Sequence, residues 1–268
     1  MSEFLLASIL GIVQGITEFL PVSSSGHLII TSALLDETGL RIKTFEVVIQ
    51  LGSILAVVVL YRHRFMGLLL PSAHMPFSGF RGLYLLFLTC LPASLLGLFA
   101  HSFIKIHLFN PISVSLALVV GALVMLAVEA RTQKPVVTSI DALTPGMALG
   151  IGCCQCLSLW PGFSRSASTI MGGMLLGADR RVAAEYSFIA AVPIMVAATT
   201  FDLYKSFADL SPADIPFFLT GMTVSFVVAL AAIKVFVGLV GRISLRPFAW
   251  YRLALAPLVY LFFTNASA

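Results

Sequence analysis

The chain has 268 residues, of which 59% are hydrophobic and only 10% are charged, whereas an ordinary soluble domain carries about a quarter charged residues. Several apolar stretches approach the roughly 20 residues that a helix needs to cross a hydrocarbon core, and they are continuous rather than alternating. The sequence therefore predicts an all-α polytopic membrane protein and excludes a β-barrel. The net charge of +4 comes without an extended basic patch, which argues against nucleic acid as a partner.

Apolar segments and the residues that break them predict about ten helices. They lie near 3–20, 25–35, 45–61, 82–100, 111–130, 144–160, 165–177, 183–203, 213–239 and 247–265. The helices after Pro21 and Pro161 are too short to span a bilayer, and each follows a longer helix that ends in a turn rich in Pro and Ser. We therefore expect six full spans and two re-entrant helix-loop-helix hairpins in a single membrane domain, 1–268.

An internal repeat relates the two hairpins. The segments TEFLPVSSSGH and LSLWPGFSRSA align Pro21 with Pro161 and Ser24 with Ser164. A second pair of segments, FEVVIQLGSILAVVV and AEYSFIAAVPIMVAA, follows in the same order at nearly the same offset. Two matches in order indicate a duplication of the kind that builds many transport proteins.

The repeats are expected to span 1–132 and 140–268, with one hairpin and three spans each. Because three is an odd number, the second repeat enters the membrane from the opposite side, and the topology is inverted. The termini and the loops near 36–44, 101–110 and 204–212 would share the side with fewer Lys and Arg residues. By the positive-inside rule that side is the outer one, so the first hairpin enters from outside and the second from the cytoplasm.

The first hairpin carries the polar residues Gln14, Glu18, Ser24 and His27. Gln14 and Glu18 lie four residues apart and share one helix face. A carboxylate inside a membrane is costly and is typical of a functional site, although Glu18 alternatively caps or pairs near an interface. Ser23 or Ser24 can cap the short helix, whose free N–H groups favour an anion, and His27 can carry a proton near neutral pH.

The second hairpin places Arg165 between long apolar runs, at the start of its short helix. It has no acidic neighbour in the sequence and needs an anionic partner from elsewhere. Ser164 and Ser166 add donors beside a guanidinium that can grip phosphate through two bonds, and Thr169 can line the same cavity. A structural ion pair between Arg165 and Glu18 is the alternative, and the two interpretations are compatible.

The motifs QGITEFLPVSSSGH and PGFSRSAST resemble the two signature segments of the bacterial undecaprenyl-diphosphate phosphatase family, also called bacitracin-resistance proteins. The similarity extends through KTFEVVIQLGSILAVVV and FNPISVSLALVVGALVMLAVEA to the C-terminal helices, so it covers essentially the whole chain. It implies an enzyme of the bacterial plasma membrane that hydrolyses undecaprenyl diphosphate to the monophosphate and inorganic phosphate. That reaction recycles the lipid carrier for peptidoglycan synthesis and gives bacitracin resistance.

The resemblance also implies roles for individual residues. Glu18, Ser24, His27 and Arg165 match the catalytic positions, and the phosphate would be bound by Arg165 and Ser24 together with the neighbouring hydroxyls of Ser164, Ser166 and Thr169. A divalent cation, Mg²⁺ or Ca²⁺, is implied as a cofactor, with Glu18 and Gln14 as ligands and no organic cofactor. Gln14 stands where some members have a second glutamate, which weakens this metal assignment. The active site is expected to open to the outer, periplasmic side.

Several alternatives stay open at the level of sequence. The nucleophile is Ser24, His27 or water, with Ser24 favoured because it lies at the expected turn. The competing function is a membrane transporter or lipid-carrier flippase with an anion site at the midplane, because inverted repeats with broken helices are typical of transporters. A non-catalytic scaffold accounts poorly for the polar residues on the two helix breaks. Membrane lipids are the expected surroundings, and a homodimer is compatible with the sequence.

Overall fold

The computed structural model describes residues 2–37, 39–71, 75–108, 110–131, 135–206 and 211–266. Within these ranges the chain is helical, apart from turns and one isolated β-bridge between Val137 and Ala178. The α-helices found there are α1 (Glu3–Thr17), α2 (Ser24–Leu34), α3 (Leu40–Leu60), α4 (Arg62–Leu69), α5 (Gly79–Phe103), α6 (Pro111–Ala130), α7 (Pro145–Gln155), α8 (Arg165–Leu175), α9 (Arg180–Ser206), α10 (Ile215–Val240) and α11 (Arg246–Ala266).

Five segments of the described chain are long and apolar enough to cross a membrane. They are Arg41–Leu60, Gly79–Ala100, Pro111–Ala130, Arg180–Lys205 and Pro212–Val240. Helix α11 lies at the place of the sixth predicted span, and its 21 residues make about 31 Å of helix. The chain is a multi-pass, all-α membrane protein, as the composition predicted.

The two short helices form hairpins with the apolar helices that precede them. Helix α2 packs against α1, and α8 packs against α7. Helices α2 and α8 each have 11 residues, which is about 16 Å and roughly half the thickness of a hydrocarbon core. Neither of them can span a bilayer alone, so both hairpins have the dimensions expected of re-entrant elements.

Each hairpin is held by helices of the other half of the chain. Helix α1 packs on α10, α2 on α11, α7 on α5 and α8 on α6. Glycines allow the first arms to approach closely: a Cβ at Gly11 would lie 2.7 Å from the carbonyl oxygen of Gly221, and a Cβ at Gly152 would lie 2.6 Å from that of Thr89. This exchange brings the two hairpin turns together in the interior.

Ion pairs show which helix ends lie together. Arg41 near the start of α3 bonds to Asp214 just before α10, with 2.7 Å between Nε and Oδ1. Glu129 at the end of α6 pairs with Arg180, the first residue of α9, at 2.7 Å. The same carboxylate accepts the N–H of Leu245, just before α11, at 2.8 Å. A Cβ at Gly241, just after the end of α10, would lie 3.9 Å from Cβ of Arg181 in the first turn of α9. The starts of α9 and α11 therefore lie at the end of the molecule opposite to the starts of α3 and α10.

A few elements differ from the predicted ones. Helix α3 begins at Leu40 instead of near residue 45, a π-helical turn occupies Ile104–Leu108, and α4 was not predicted. Its sequence RHRFMGLL is too polar to register as an apolar run, because three of its first residues are basic or histidine. Chain positions 1, 132 and 268, which bound the predicted domain and repeats, lie outside the described residues.

Candidate active site

Both short helices begin at a serine with a left-handed backbone. Ser23 has a φ of 72° and Ser164 a φ of 79°, a region that costs energy for residues other than glycine and that often marks functional sites. The Ser23 side chain accepts the N–H of Gly26 and the Ser164 side chain that of Ala167. Ser23 is thus the cap, and it matches Ser164 in structure, one residue away from the predicted match with Ser24.

Glu18 is the centre of a hydrogen-bonded cluster in the first turn. Its Oε2 accepts from Gln14 Nε2 at 2.8 Å and from the Ser24 hydroxyl at 2.8 Å. Its Oε1 accepts from Arg165 Nη2 at 3.3 Å, and the Glu18 side chain is only 6% exposed. The structure therefore joins three of the predicted catalytic residues, and the predicted ion pair forms within the same cluster.

Arg165 reaches the first hairpin from the start of α8. Its Nη1 donates to the carbonyl and hydroxyl oxygens of Ser187 on α9, at 3.1 and 3.4 Å. Its guanidinium lies over the ring of Phe19, 5.6 Å from the centroid. Its Nε is buried without a hydrogen-bond partner among the described residues. The side chain is fixed in place and still has an unused donor.

Ser166 and Thr169 support the cluster from behind. Ser166 donates to the carbonyl oxygen of Leu20 at 2.9 Å and so ties the second hairpin to the turn of the first. Thr169 shares a 2.6 Å hydrogen bond with the Ser187 hydroxyl, which is the group that contacts Arg165. Both residues are 1% exposed. The structure places these two predicted phosphate ligands as supports and not on the cavity surface.

A cavity of about 270 Å³ lies between the two turns. The residues that line it are Glu18, Ser23, Ser24, Ser25, Gln50, Ser158, Pro161, Gly162, Ser164, Arg165, Ile194, Met195 and Ala198. The reactive face of the cluster opens into this cavity, because Glu18, Ser24, Ser164 and Arg165 all contribute to its wall. Its chemistry combines one carboxylate, one guanidinium and several hydroxyls, which suits an anionic ligand and proton transfer.

His27 is held away from Ser24. Its Nδ1 lies 2.8 Å from the carbonyl oxygen of Ser23, and its Nε2 lies 2.6 Å from the Tyr251 hydroxyl. The two rings are stacked, with centroids 5.5 Å apart. Because a carbonyl can only accept, Nδ1 carries a proton and Nε2 of the neutral ring accepts from Tyr251. Both ring nitrogens are thus engaged, and the group that contacts Ser24 is Glu18.

The site offers few ligands for a metal ion. Among the described residues there is no cluster of three or more His, Cys, Asp or Glu side chains that could hold a metal ion. Gln14 Oε1 is buried without a partner, but so is Oε1 of Gln155, which takes the equivalent place in the second hairpin away from the cavity. The unpartnered amide oxygen is therefore no sign of a cation by itself. Glu18 alone supplies a carboxylate, which suits Mg²⁺ only if substrate phosphates and water complete its shell.

Sequence reasoning missed three residues that build the site. Ser187 and Tyr251 carry no sequence signal, because a serine or tyrosine in an apolar helix is common and their partners lie far away in the chain. Arg252 had a signal that was overlooked, namely an arginine inside the apolar segment AWYRLALAPL. It is fully buried in α11 and donates to the carbonyl oxygen of Gly162, on the cavity wall, at 3.0 Å.

Comparisons of the sequence with known proteins show the family of this chain. A protein from Nitratidesulfovibrio vulgaris strain DP4 named undecaprenyl-diphosphatase is 65% identical over 262 residues, covering 98% of this chain and 99% of that protein. Proteins of the same name from Maridesulfovibrio salexigens and Lawsonia intracellularis are 63% and 56% identical, covering 98% and 97% of this chain and 100% and 98% of their own lengths. A family model described as bacitracin resistance protein BacA matches residues 7–258. The chain belongs to the BacA family of bacitracin resistance proteins.

Proposed function

We propose that the cavity between the two hairpin turns is the site at which this chain hydrolyses undecaprenyl diphosphate to undecaprenyl phosphate and inorganic phosphate. The relatives are named for this activity, which favours the phosphatase over the transporter or flippase. One observation carries the assignment of the site. The Ser24 hydroxyl donates to Glu18 at 2.8 Å while Arg165 holds the other oxygen of the same carboxylate. A nucleophile, a base and an anion ligand thus face one cavity.

The cavity suits the headgroup of the substrate. Its volume of about 270 Å³ is below the usual 300–1,000 Å³ of sites that enclose drug-sized ligands. It is too small for a C55 isoprenoid chain, so we place the diphosphate in the cavity and the isoprenoid chain in the bilayer. Arg165 and the hydroxyls of Ser164 and Ser24 face the terminal phosphate, and the first N–H groups of α2 and α8 add their partial positive charge.

The geometry supports Ser24 as the nucleophile and Glu18 as its base. As Ser24 Oγ bonds to the terminal phosphorus, its proton passes to Glu18, and the bond from phosphorus to the bridging oxygen breaks. Undecaprenyl phosphate leaves with that electron pair, and Arg165 stabilises the charge that develops on the phosphoryl oxygens. Water then cleaves the phosphoserine, the serine oxygen is protonated again, and inorganic phosphate is released. His27 supports this arrangement by holding the Ser23 carbonyl, next to the nucleophile.

The test uses purified protein in detergent with a C55 isoprenyl diphosphate as substrate. Ser24→Ala should lower phosphate release at least about 10³-fold, because no other hydroxyl of the described residues donates to Glu18. Ser25→Ala is the matched control, since Ser25 also lines the cavity but contributes nothing to the proposed chemistry. Acid quenching should trap a phosphorylated wild-type protein and none in Ser24→Ala. Near-normal phosphate release by Ser24→Ala would show that water or His27 is the nucleophile.

We propose a divalent cation as a cofactor of this site, with Glu18 as its one carboxylate ligand and Gln14 beside it. When bound, such a cation would neutralise charge on the diphosphate. The argument for it is the charge balance, because Arg165 is already paired with Glu18 and a diphosphate adds several negative charges. Chelation followed by titration with Mg²⁺ or Ca²⁺ tests the proposal. Phosphate release that is unchanged in excess chelator would contradict it.

We also propose that 1–132 and 140–268 are inverted repeats. Three pairs of residues in the hairpins support this proposal by sharing one spacing along the chain. They are Gly11 with Gly152, Gln14 with Gln155, and Ser23 with Ser164. The members of each pair also have the same structural role. Both glycines lie against a carbonyl oxygen of a long helix, both glutamines are buried with Oε1 unpartnered, and both serines cap a short helix.

The orientation in the bacterial plasma membrane is proposed from the charges, with the ends of α3 and α10 that carry Arg41 and Asp214 on the outside. The site would then be open to the periplasm through the first hairpin. Single cysteines test this in a variant without the native cysteines. Gly39→Cys should react with a membrane-impermeant maleimide on intact cells, whereas Gly241→Cys should react only after lysis. The reverse pattern would invert the assignment.

A further inference from the structure

Arg252 is a buried cation without a carboxylate partner. It is 0% exposed, although it lies about two turns into the apolar helix α11. Its Nη2 donates to the carbonyl oxygens of Ala117 at 3.2 Å and Gly162 at 3.0 Å. Its Nε and Nη1 are buried without a hydrogen-bond partner, and within the described residues it forms no ion pair. Such a charge is costly inside a membrane protein and calls for a functional reason.

The surrounding helices provide space for this side chain. A Cβ at Gly121 of α6 would overlap the Arg252 guanidinium, so the absence of a side chain there creates the room that the arginine occupies. The ring of Phe163 lies on another side, 5.9 Å from the guanidinium carbon. Arg252 is therefore packed in a defined place and does not point to the lipid or to a helix end.

The contact with Gly162 links Arg252 to the site proposed above. Gly162 lines the cavity, and its φ of 98° is a left-handed conformation. The N–H of Phe163 in the same peptide donates to the carbonyl oxygen of Trp160 at 3.0 Å. The peptide between Gly162 and Phe163 is thus held at both ends, by Arg252 on one side and by the turn itself on the other. Two residues later the chain reaches Ser164 and Arg165.

We propose that Arg252 is a positioning residue of the phosphate site. Through the Gly162 carbonyl it fixes the second turn and so places the Arg165 guanidinium and the first N–H groups of α8. Its unneutralised charge, behind the cavity wall, also makes the cavity more favourable for an anionic headgroup. This inference rests on the proposed function, because it assigns Arg252 to the same diphosphate site.

The experiment separates placement from charge with two variants and two measurements. Arg252→Lys keeps the charge but cannot reproduce the planar fork, so it should keep inorganic pyrophosphate affinity within a few-fold and lose kcat by about 100-fold. Arg252→Met removes the charge as well and should also weaken pyrophosphate binding at least about tenfold. Arg246→Met, an exposed position in the same helix, is the matched control and should leave both quantities unchanged. Pyrophosphate binding is measured by calorimetry on purified protein in detergent.

Every result of this experiment supports or contradicts the positioning role of Arg252. A purely structural role would lower the melting temperature of the variants while leaving kcat, KM and pyrophosphate affinity at wild-type values, and that result overturns the proposal. If Arg252→Met does not fold, Arg252→Lys alone decides, because a folded lysine variant with wild-type kcat is enough to refute the placement role. Failure of the proposed function is distinguishable, since the wild-type protein itself would then release no phosphate.

Discussion

Replacing Glu18 by glutamine tests the centre of the site with the smallest change in shape. Glu18→Gln keeps the size of the side chain but removes the charge that faces Arg165. It also removes the proton acceptor of the Ser24 hydroxyl, because a neutral amide oxygen is a very weak base. One carboxylate thus serves both the ion pair and the proposed proton transfer, and the substitution should affect both stability and rate.

The expected magnitudes follow from the burial of the pair. Loss of a general base typically lowers a rate by about 10²–10⁴-fold, so phosphate release should fall by at least 10²-fold. The side chains of Glu18 and Arg165 are only 6% and 13% exposed, and breaking a buried pair by removing one partner costs about 3–5 kcal/mol. Phosphate release from a C55 isoprenyl diphosphate and thermal unfolding in detergent measure the two effects.

Glu185→Gln is the matched control for this substitution. Glu185 also pairs with an arginine, Arg181, but one turn away on the same helix α9, where the side chains of the arginine and the glutamate are 66% and 20% exposed. Such a pair contributes only about 0.3–0.5 kcal/mol, so this variant should have nearly wild-type stability and activity. The reasoning fails if Glu18→Gln keeps more than a tenth of wild-type activity, or if both variants lose the same amount of stability.

Two further predictions concern packing and pH. Gly52→Ala should lower the melting temperature, because its Cβ would overlap a backbone carbonyl of α10. Gly238→Ala is the control and should raise the melting temperature slightly, because its Cβ would meet nothing within 4 Å. Equal melting temperatures of the two variants would contradict the contact of α3 with α10. Burial tends to raise the pKa of Asp141, but the N–H of Phe77 and the charged bonds from Arg64 outweigh it and hold that pKa below its ordinary value. Asp141→Asn should therefore cost stability at neutral pH, and the deficit should shrink as the pH falls below about 4. Unfolding curves across this pH range measure it, and a deficit independent of pH would refute the pairing.

The sequence was sufficient to predict the membrane-spanning helices, because each of them is a long apolar run. Both short helices were predicted within two residues of their ends, since a cap and a proline mark where each begins. The short helix Arg62–Leu69 and the π-helical turn Ile104–Leu108 were not predicted. Neither is a long apolar run, and each directly follows a longer helix, α3 or α5.

From the sequence, the site was predictable only where a charged residue stands in an apolar segment, because burying an unpaired charge is energetically costly. Glu18 and Arg165 are charges in apolar surroundings, so each had to have a partner, and they are partners of one another. The position of His27 was not predictable, because a histidine one turn from a serine can point to it or away from it. Its contact with Tyr251 decides the direction, and that tyrosine is distant in the chain.

When the proposed repeat alignment is shifted by one residue, functional candidates of both hairpins occupy the same helix position. With Ser23 matched to Ser164, the proposed nucleophile Ser24 takes the same place as Arg165, at the first position of each short helix. Glu18 then corresponds to Leu159, which has no polar atom in its side chain. The proposed duplication therefore gave two helix starts with the same backbone but opposite chemistry. In the proposed mechanism one half provides the nucleophile and the base, and the other provides the cation. Neither half would then be a phosphatase alone, and the packing of each hairpin on helices of the other half would be required for the chemistry.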